Sequence, residues 1–533
     1  MRECDGIVIG AGHNGLILQA YAAMAGLDVI SLERRDSAGG GLQTVEDPRL
    51  PGFRHNTHAF FHRAVDKMPW YRDLELERHG CRYIEPDRNV VLLLRDGRTL
   101  EWWRDFDKTA ESFARFSRRD ADTLRRWRDA FAPILQKILT PEAQSPPLPR
   151  AERERLLGAS AEGRLLLETS RLSPLEFVLR EFENPIVQAG LLFFNGLREV
   201  DLRAPGFGHH IPALLASPAK AQMAIGGARS LAHALERAVR AHGGEVRTNC
   251  EPKRVIVESG RAVGVETAEG ECLRARRFVA SSLNPQQTFL DLVAPEHLPA
   301  DWRQAAADFR YNLLAPLFAL NVSLREPPRY EGLDSGGLDD AFMVILGLEH
   351  IDQFPDIVRH HEAGTIPPTV MWGACPTAFD PTQAPAGGHT AFMWEKLPYR
   401  LNGDARNWDA AKRDHGARML ETWGKYAPNL DGAMLDWFTR SPLDIERSFP
   451  NMREADLLVG AFTDGQTGHD RPFPGAGHYR GHLDGLYICG SCCHPGGNIT
   501  GLPGYNAAQV ILRDLGMPAD WMPDPIARQL ARV

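Results

Sequence analysis

Runs of apolar residues broken by glycine, proline and charge divide the chain into strands and helices. Asp5-Gly6-Ile7-Val8-Ile9 is short and almost wholly apolar, the pattern of a strand buried on both faces of a parallel sheet. An apolar helix follows over Leu16 to Ala25, Gly26 stops it, and a second strand runs Asp28-Val29-Ile30-Ser31-Leu32. Far downstream, Leu231, Leu235 and Val239 fall at helical spacing, and His242-Gly243-Gly244 ends that helix. Strands are then predicted at Glu245-Val246-Arg247, Arg254 to Val257, Ala262 to Val265 and Arg277 to Ala280. Gly485 to Gly490 reads as a strand ending in glycine, and Leu502 to Ala508 starts a helix with Pro503 in its first turn. Between these stretches, residues 107–170 are helical and charged, interrupted by a proline-rich loop from Ser145 to Pro149. Leu314 to Leu324 and Phe342 to Leu346 look like strands, and Pro376 to Pro385 looks like a turn-rich linker. No internal repeat or low-complexity tail is evident.

Composition narrows the class. Hydrophobic residues make up 43% and charged residues 24%, which excludes a disordered chain, a collagen-like fibre and a disulfide-stapled miniprotein. At ~150 residues per domain, 533 residues predict three or four domain-sized units, or fewer interleaved ones. Lys and Arg number 61 against 69 Asp and Glu, and the net charge of −8 argues against nucleic acid as a partner. No apolar run approaches the ~18 residues of a membrane span; the nearest, Val90 to Leu94, has strand length. The opening strand leaves no room for a signal peptide, and eight scattered cysteines fit a reducing compartment, so a cytoplasmic protein is expected. Peripheral membrane contact stays open, although no strongly basic amphipathic helix is present to make it.

The candidate chemistry begins at the first turn. Gly10-Ala11-Gly12-His13-Asn14-Gly15 lies between the first strand and the first helix, and Glu33 stands at the end of the second strand. That order of strand, glycine turn, helix, strand and acid is the dinucleotide fingerprint. The helix N-terminus offers N–H groups and partial positive charge to a pyrophosphate, and Glu33 accepts ribose hydroxyls. The fingerprint alone does not separate NAD from FAD. Arg34-Arg35 and Gly39-Gly40-Gly41 follow Glu33 and favour FAD, because they permit a second close pass at the pyrophosphate. Ile225-Gly226-Gly227 opens the downstream helix, and Ser281-Ser282 ends a strand in small residues, as a ligand edge requires. The loop Ser491 to Gly501 leads into the last helix, whose N-terminus is suited to the negative charge that develops on a reduced flavin.

Asp5 to Gly15, Glu33-Arg34-Arg35, the glycines at 39–41, Gly226-Gly227 and Leu486 to Ala508 together resemble the phytoene desaturase-related, carotenoid desaturase-like FAD-dependent oxidoreductases. That family shares the FAD fold of the amine oxidase and glutathione reductase type. The resemblance implies an α/β architecture: a Rossmann-type FAD-binding domain, with a parallel sheet, helices and a three-stranded β-meander, interleaved with an α+β substrate domain. The FAD domain is expected from 1–70, 220–290 and 475–533, and the substrate or cap domain from 71–219 and 291–474. The resemblance further implies pyrophosphate contacts from Gly10, Ala11, Gly12, His13, Asn14 and Gly15, with Gly40 and Gly41, and a ribose contact from Glu33. Ser281 and Ser282 fall near the adenosine half, Gly490 and Ser491 near the pyrophosphate and ribityl chain, and Ile499, Thr500 and Gly501 against the flavin ring. Two positions depart from the family. Pro252-Lys253 stands where an aliphatic residue usually touches adenine through its backbone, and Pro252 has no N–H to give. Asn56-Thr57-His58 stands where a glycine often faces the flavin, which turns His58 toward flavin or substrate.

The reaction expected is hydride removal from a C–H of an organic, largely apolar substrate to flavin N5, with electrons passed to oxygen, a quinone or another carrier. Candidate bases are His494, His58 and His469, with His494 placed best; each alone also reads as a structural histidine. His55, His58 and His62 have helical metal spacing, but nothing nearby completes a site, and no metal is expected. Cys492-Cys493 reads as buried thiols rather than a strained redox pair. Trp102-Trp103 and Phe193-Phe194 read as core or pocket wall, and Phe60-Phe61 as lining for an apolar substrate. The alternatives are an amine oxidase-like enzyme, a redox-neutral isomerase or reductase using reduced FAD, a cofactor-free escort protein and a plain NAD dehydrogenase.

Overall fold

The computed structural model describes residues 2–196, 200–333 and 336–533, with the side chains of residues 194–196 outside the description. The expectation for Phe194 therefore lies outside the described residues. The dinucleotide half contains, in chain order, β1 (Arg2–Ile9), α1 (His13–Met24), β2 (Val29–Leu32), α2 (Arg229–Ala241), β3 (Glu245–Arg247), β4 (Pro252–Glu258), β5 (Arg261–Thr267), β6 (Cys272–Ser281), β7 (Leu486–Ile488) and α3 (Leu502–Asp514). The sheet order is β3-β2-β1-β6-β5-β4, with β7 also on β6. β1 runs parallel to both neighbours, so Ile9 lies opposite Leu32 and Ser281. β6 has two roles. Its start pairs antiparallel with β5 and closes the meander, and its end pairs parallel with β7, Val279 opposite Leu486. The two ends of the polypeptide thus enter one sheet, one strand apart.

Burial explains the sequence pattern. All four residues of β2 are buried, as a parallel strand covered on both faces requires. α2 buries one stripe, Leu231, Ala234, Leu235, Ala238 and Val239. α1 is apolar almost all round because it packs on β1 and β2, on α2 and on α3.

A second seven-stranded sheet runs in the order Met434–Arg440, Leu317–Leu324, His389–Lys396, Met371–Ala374, Met343–Leu346, Arg88–Leu93, Thr99–Trp103. Its strands alternate between two cores. Leu317, Ala319, Met343, Ile345, Phe392 and Trp394 share one with Leu124, Phe131 and Phe177 from overlying helices. Phe318, Leu320, Val322, Val344 and Met393 share the other with Trp408, Met419 and Trp423. Both faces are covered, so Leu317–Leu324 is buried throughout, its polar Asn321 and Ser323 included.

The segment Pro376 to Pro385, expected as a turn-rich linker, is a pair of short 3-10 turns that is exposed at Ala378, Pro381 and Thr382 and anchored by buried Asp380 and Gln383. The Asp380 carboxylate accepts from the Gly226 N–H at 2.7 Å and from the Gln383 amide at 2.9 Å. Gln383 in turn accepts from Asn56 at 2.8 Å, and Asn56 accepts from the Ala228 N–H at 2.9 Å. A solvated linker carries no such network; this one ties the second sheet to the start of α2. Among the described residues, no helix is long and apolar enough to cross a membrane.

Candidate functional site

A cavity of about 350 Å³ opens along the carboxyl ends of β1 and β6, where ligands of open α/β sheets bind. Gly10, Gly12, His13 and Asn14 line it, as do Glu33, Arg34, Arg35, Gly40 and Gly41. Glu251, Pro252 and Lys253 close one end, and Ser491, Asn498 and Ile499 contribute from the chain's last segment. Residues singled out from three distant stretches therefore meet at one cavity, although Ala11, Gly15, Ser281, Gly490, Thr500 and Gly501 do not line it.

Glu33 is fixed before any ligand arrives. Its carboxylate accepts from the Ala11 N–H at 3.1 Å and from the Arg35 N–H at 3.0 Å, and the residue is 8% exposed. Each oxygen keeps a lone pair for a ribose hydroxyl. The α1 N-terminus starts at Gly12 with no side-chain cap, which leaves its first N–H groups for an anion. Gly40 has φ +56°, and a Cβ there would come within 3.0 Å of the Gly12 Cα. Two backbones close in on each other there, and a side chain on either would fill the cradle. Arg35 lies over the Phe449 ring at 4.4 Å, and its Nη1 is buried with no hydrogen-bond partner. Burial lowers the Arg35 pKa, and Glu33 pulls the other way. Arg229 at the start of α2 acts electrostatically on Arg35, and its Nε is likewise buried and unpartnered. These free donors, the open helix end and the paired glycine backbones suit a pyrophosphate carried between a ribose and a ring system. Arg34 is exposed at the rim, 4.0 Å from Glu251.

The C-terminal loop divides differently from expectation. Ser491 and Ile499 line the cavity, and the Ser491 hydroxyl accepts from the Asn14 amide at 3.1 Å. Gly490 packs against the Ser282 carbonyl, where a Cβ would come within 2.3 Å. Thr500 turns its carbonyl to the Trp70 indole N–H at 2.7 Å, and Gly501, the α3 N-cap at φ +65°, is wedged against Trp70 and Ile17. The α3 N-terminus is met within the chain: the Leu502 N–H reaches the Thr500 hydroxyl at 3.4 Å, and the Gly504 N–H reaches the Asn14 Oδ1 at 3.4 Å. Ser281 is also turned inward, its hydroxyl 2.7 Å from that of Thr288, and Ser282 takes the place on the cavity.

The histidines separate. His494 is not on the cavity wall; its Nε2 donates to the Glu142 carbonyl at 2.9 Å, and burial lowers its pKa to about 4. His58 lies behind Gly41, 6% exposed, with Nδ1 3.0 Å from the Thr57 hydroxyl and Nε2 unpartnered. Burial, reinforced by Arg440 and Arg35, lowers its pKa to about 3. His55 bonds the Ser323 hydroxyl at 3.1 Å, and His62 bonds Tyr83 at 2.8 Å, so the three spaced histidines do not converge. His469 sits partly exposed beside Asp470 and His478. Cys492 and Cys493 are free thiols with sulfurs 3.9 Å apart. Phe60 and Phe61 pack with Phe342, Phe392 and Trp394 against the second sheet.

Sequence reasoning missed the segment Ser448-Phe449-Pro450-Asn451-Met452, with Leu457 and Val459, which lines the cavity from the half expected to bind substrate. It also missed what holds that segment. Arg471 is 1% exposed and donates to the carbonyls of Ala461, Gln466, Gly460 and Ser491 at 3.1–3.3 Å. Asp456 accepts three backbone N–H groups, from Asn312, Leu458 and Gly460, each at 2.9 Å. Little in the sequence signals this pair, because Asp464, Gln466, His469 and Asp470 make the same stretch look like an ordinary polar loop.

Residues 8–74 match the family described as NAD(P)-binding Rossmann-like domain. One polypeptide of the limonene dehydrogenase from Castellaniella defragrans is 31% identical, over 99% of this chain and 98% of its own. An all-trans-zeta-carotene desaturase from Myxococcus xanthus is 25% identical, over 96% and 93%. The solved structure of cyclohexylamine oxidase from Brevibacterium oxydans superposes with a TM-score of 0.57 at 15% identity, over 96% of this chain and 99% of that one, which shows a shared fold.

Proposed function

The chain belongs to the carotenoid desaturase-like FAD-dependent oxidoreductases, and from that premise we propose that it takes hydride from a C–H bond of a largely apolar organic substrate and delivers the electrons to oxygen, a quinone or another carrier. The observation that carries this reading is the convergence of Glu33, the Gly10 to Asn14 turn and the Ser491 to Ile499 loop on one cavity. Bound FAD supplies the two-electron acceptor.

The chain's own residues do the rest. Gly10 to Gly15 and Gly40-Gly41 receive the pyrophosphate, and Arg35 with Arg229 matches its two charges. Glu33 holds the ribose, and Glu251-Pro252-Lys253 bounds the adenine end, Pro252 through its carbonyl face alone. Asn498, Ile499, Met452 and Val459 bound the other end. His13, whose Nε2 is buried and unpartnered and whose pKa burial lowers to about 4, stands there as a neutral imidazole. His494 acts as a positioning residue that pins the loop to Glu142. Phe449, Leu457 and Val459 give the cavity an apolar side that excludes water from an apolar substrate. Relatives named for limonene and for carotene support an apolar body for that substrate.

Purified protein is expected to be yellow, with oxidised flavin bands at about 370 and 450 nm. The decisive experiment is anaerobic bleaching of those bands by a panel of organic compounds. A colourless preparation that takes up no added FAD overturns the reading.

A further inference from the structure

Once a pyrophosphate is matched to Arg35 and Arg229, one cation beside the cavity, among the described residues, has no carboxylate of its own. Arg440 ends the edge strand of the second sheet, opposite Ala319, on the face that carries Trp394 and Phe392. Its Nη2 donates to the Ser448 hydroxyl at 2.6 Å, and Ser448 lines the cavity. Burial lowers its pKa. The carboxylate that acts on it, Asp444, is already committed. It accepts from Lys412 at 2.8 and 2.9 Å and from the Ser441 N–H at 2.9 Å. Two cations thus share one carboxylate, and among the described residues no salt bridge reaches the Arg440 guanidinium.

Beside it stands His58. The residue is buried, its ring in contact with Phe449 at 4.8 Å between centroids, and its Nε2 meets no partner. With Thr57 at Nδ1, the neutral ring has a spare N–H or lone pair at Nε2, on the side of Gly41 and the cavity. Arg440 acts electrostatically on that imidazole more strongly than any other side chain does. A partly buried guanidinium without an anion and a buried imidazole nitrogen without a partner both cost stability unless a ligand completes them.

We propose that Arg440, Ser448 and His58 form a monoanion subsite at the seam between the cofactor cavity and the second sheet, and that it receives a carboxylate carried by the substrate. The substrate is then an amphipathic acid: an apolar body against Phe449, Leu457 and Val459, with a carboxylate held by the guanidinium fork. This rests on the reading given under Proposed function and refines its substrate class.

Benzoate is the probe, and benzyl alcohol is its neutral counterpart. Titrated into the yellow holoenzyme, benzoate is expected to perturb the flavin band near about 450 nm saturably, at least tenfold more tightly than benzyl alcohol does. Arg440→Met should weaken benzoate by tenfold or more, leave benzyl alcohol within twofold, and retain the flavin. Ser448→Ala should weaken benzoate by about two- to fivefold; it decides the matter should Arg440→Met fail to fold. Equal affinity for the two probes overturns the subsite. Loss of flavin from Arg440→Met also overturns it, because the cofactor pyrophosphate is then the anion that Arg440 holds. A protein that lacks flavin altogether sinks the oxidoreductase reading instead, so the two failures are distinguishable.

Discussion

The two halves of the molecule meet at the cavity, yet they build it by opposite means. The β1–β7 sheet presents backbone: glycine turns, strand ends and a helix N-terminus. The second-sheet half presents side chains: the Ser448 to Val459 segment lines the far side, with Arg440 bonded behind it to Ser448. A site made of backbone is demanding in residue type, because only glycine allows the approach. A site made of side chains is demanding in position, because its members lie far apart in sequence. That contrast predicts where each half is fragile.

Acid should separate the halves most strongly. His13, His55, His58, His62 and His494 all lie at or near the seam, and burial lowers their pKa values to about 3 or 4. Their unfolded values lie near ~6.5, so between those limits the unfolded chain binds more protons. The stability from these neutral histidines is complete above about pH 6.5 and falls as pH drops toward the folded values. The slope reaches up to about 1.4 kcal/mol per pH unit for each group. In the second-sheet half, burial lowers His361 to about 4, and also lowers His209 and His389, three groups against the five at the seam. Flavin should therefore be released on acidification before the second-sheet tryptophans are exposed. Absorbance and tryptophan fluorescence followed together check this; coincident transitions would erase the distinction.

Arg471→Leu should cost about 3–5 kcal/mol, because it leaves a set of buried carbonyls without their donor. Urea unfolding measures it, and a loss below ~1 kcal/mol would show that the halves are tied elsewhere. Gly504→Ala tests the backbone side. A Cβ there would sit 2.1 Å from the Asn14 carbonyl, so α3 must lift from α1. A loss of about 2–3 kcal/mol is expected, together with flavin. Smallest in stability but sharpest in function is Glu33→Ala. It should weaken flavin retention by tenfold or more, whereas His494→Ala should retain flavin and loosen only the loop, and equilibrium dialysis against FAD ranks the two.

The backbone-built half was legible because its signals are local. Glycine spacing, a strand-final acid and helix periodicity placed β1 to β3, the helices around them and Glu33 within a few residues. The side-chain half was not. The buried run Leu317–Leu324 announced a strand but nothing about its neighbours, since both faces are covered. The Pro376 to Pro385 segment read only as a turn-rich linker because its partners, Gly226 and Asn56, are over a hundred residues away. Within the terminal loop, composition could not separate Ile499, which faces the cavity, from Thr500 and Gly501, which seat against Trp70. The same holds for Ser281 and Ser282, since one residue's difference in a strand inverts the direction of the side chain.

The pairing of β7 with β6 bears on the order of events in the cell. Asn14 and Ser491, which touch across the cavity, are separated by 477 residues of synthesis. A nascent chain therefore exposes the glycine turn long before the opposing wall exists. Cofactor loading becomes one of the last steps of maturation, and a chain truncated before Leu486 is left with a dinucleotide cradle that has no lid.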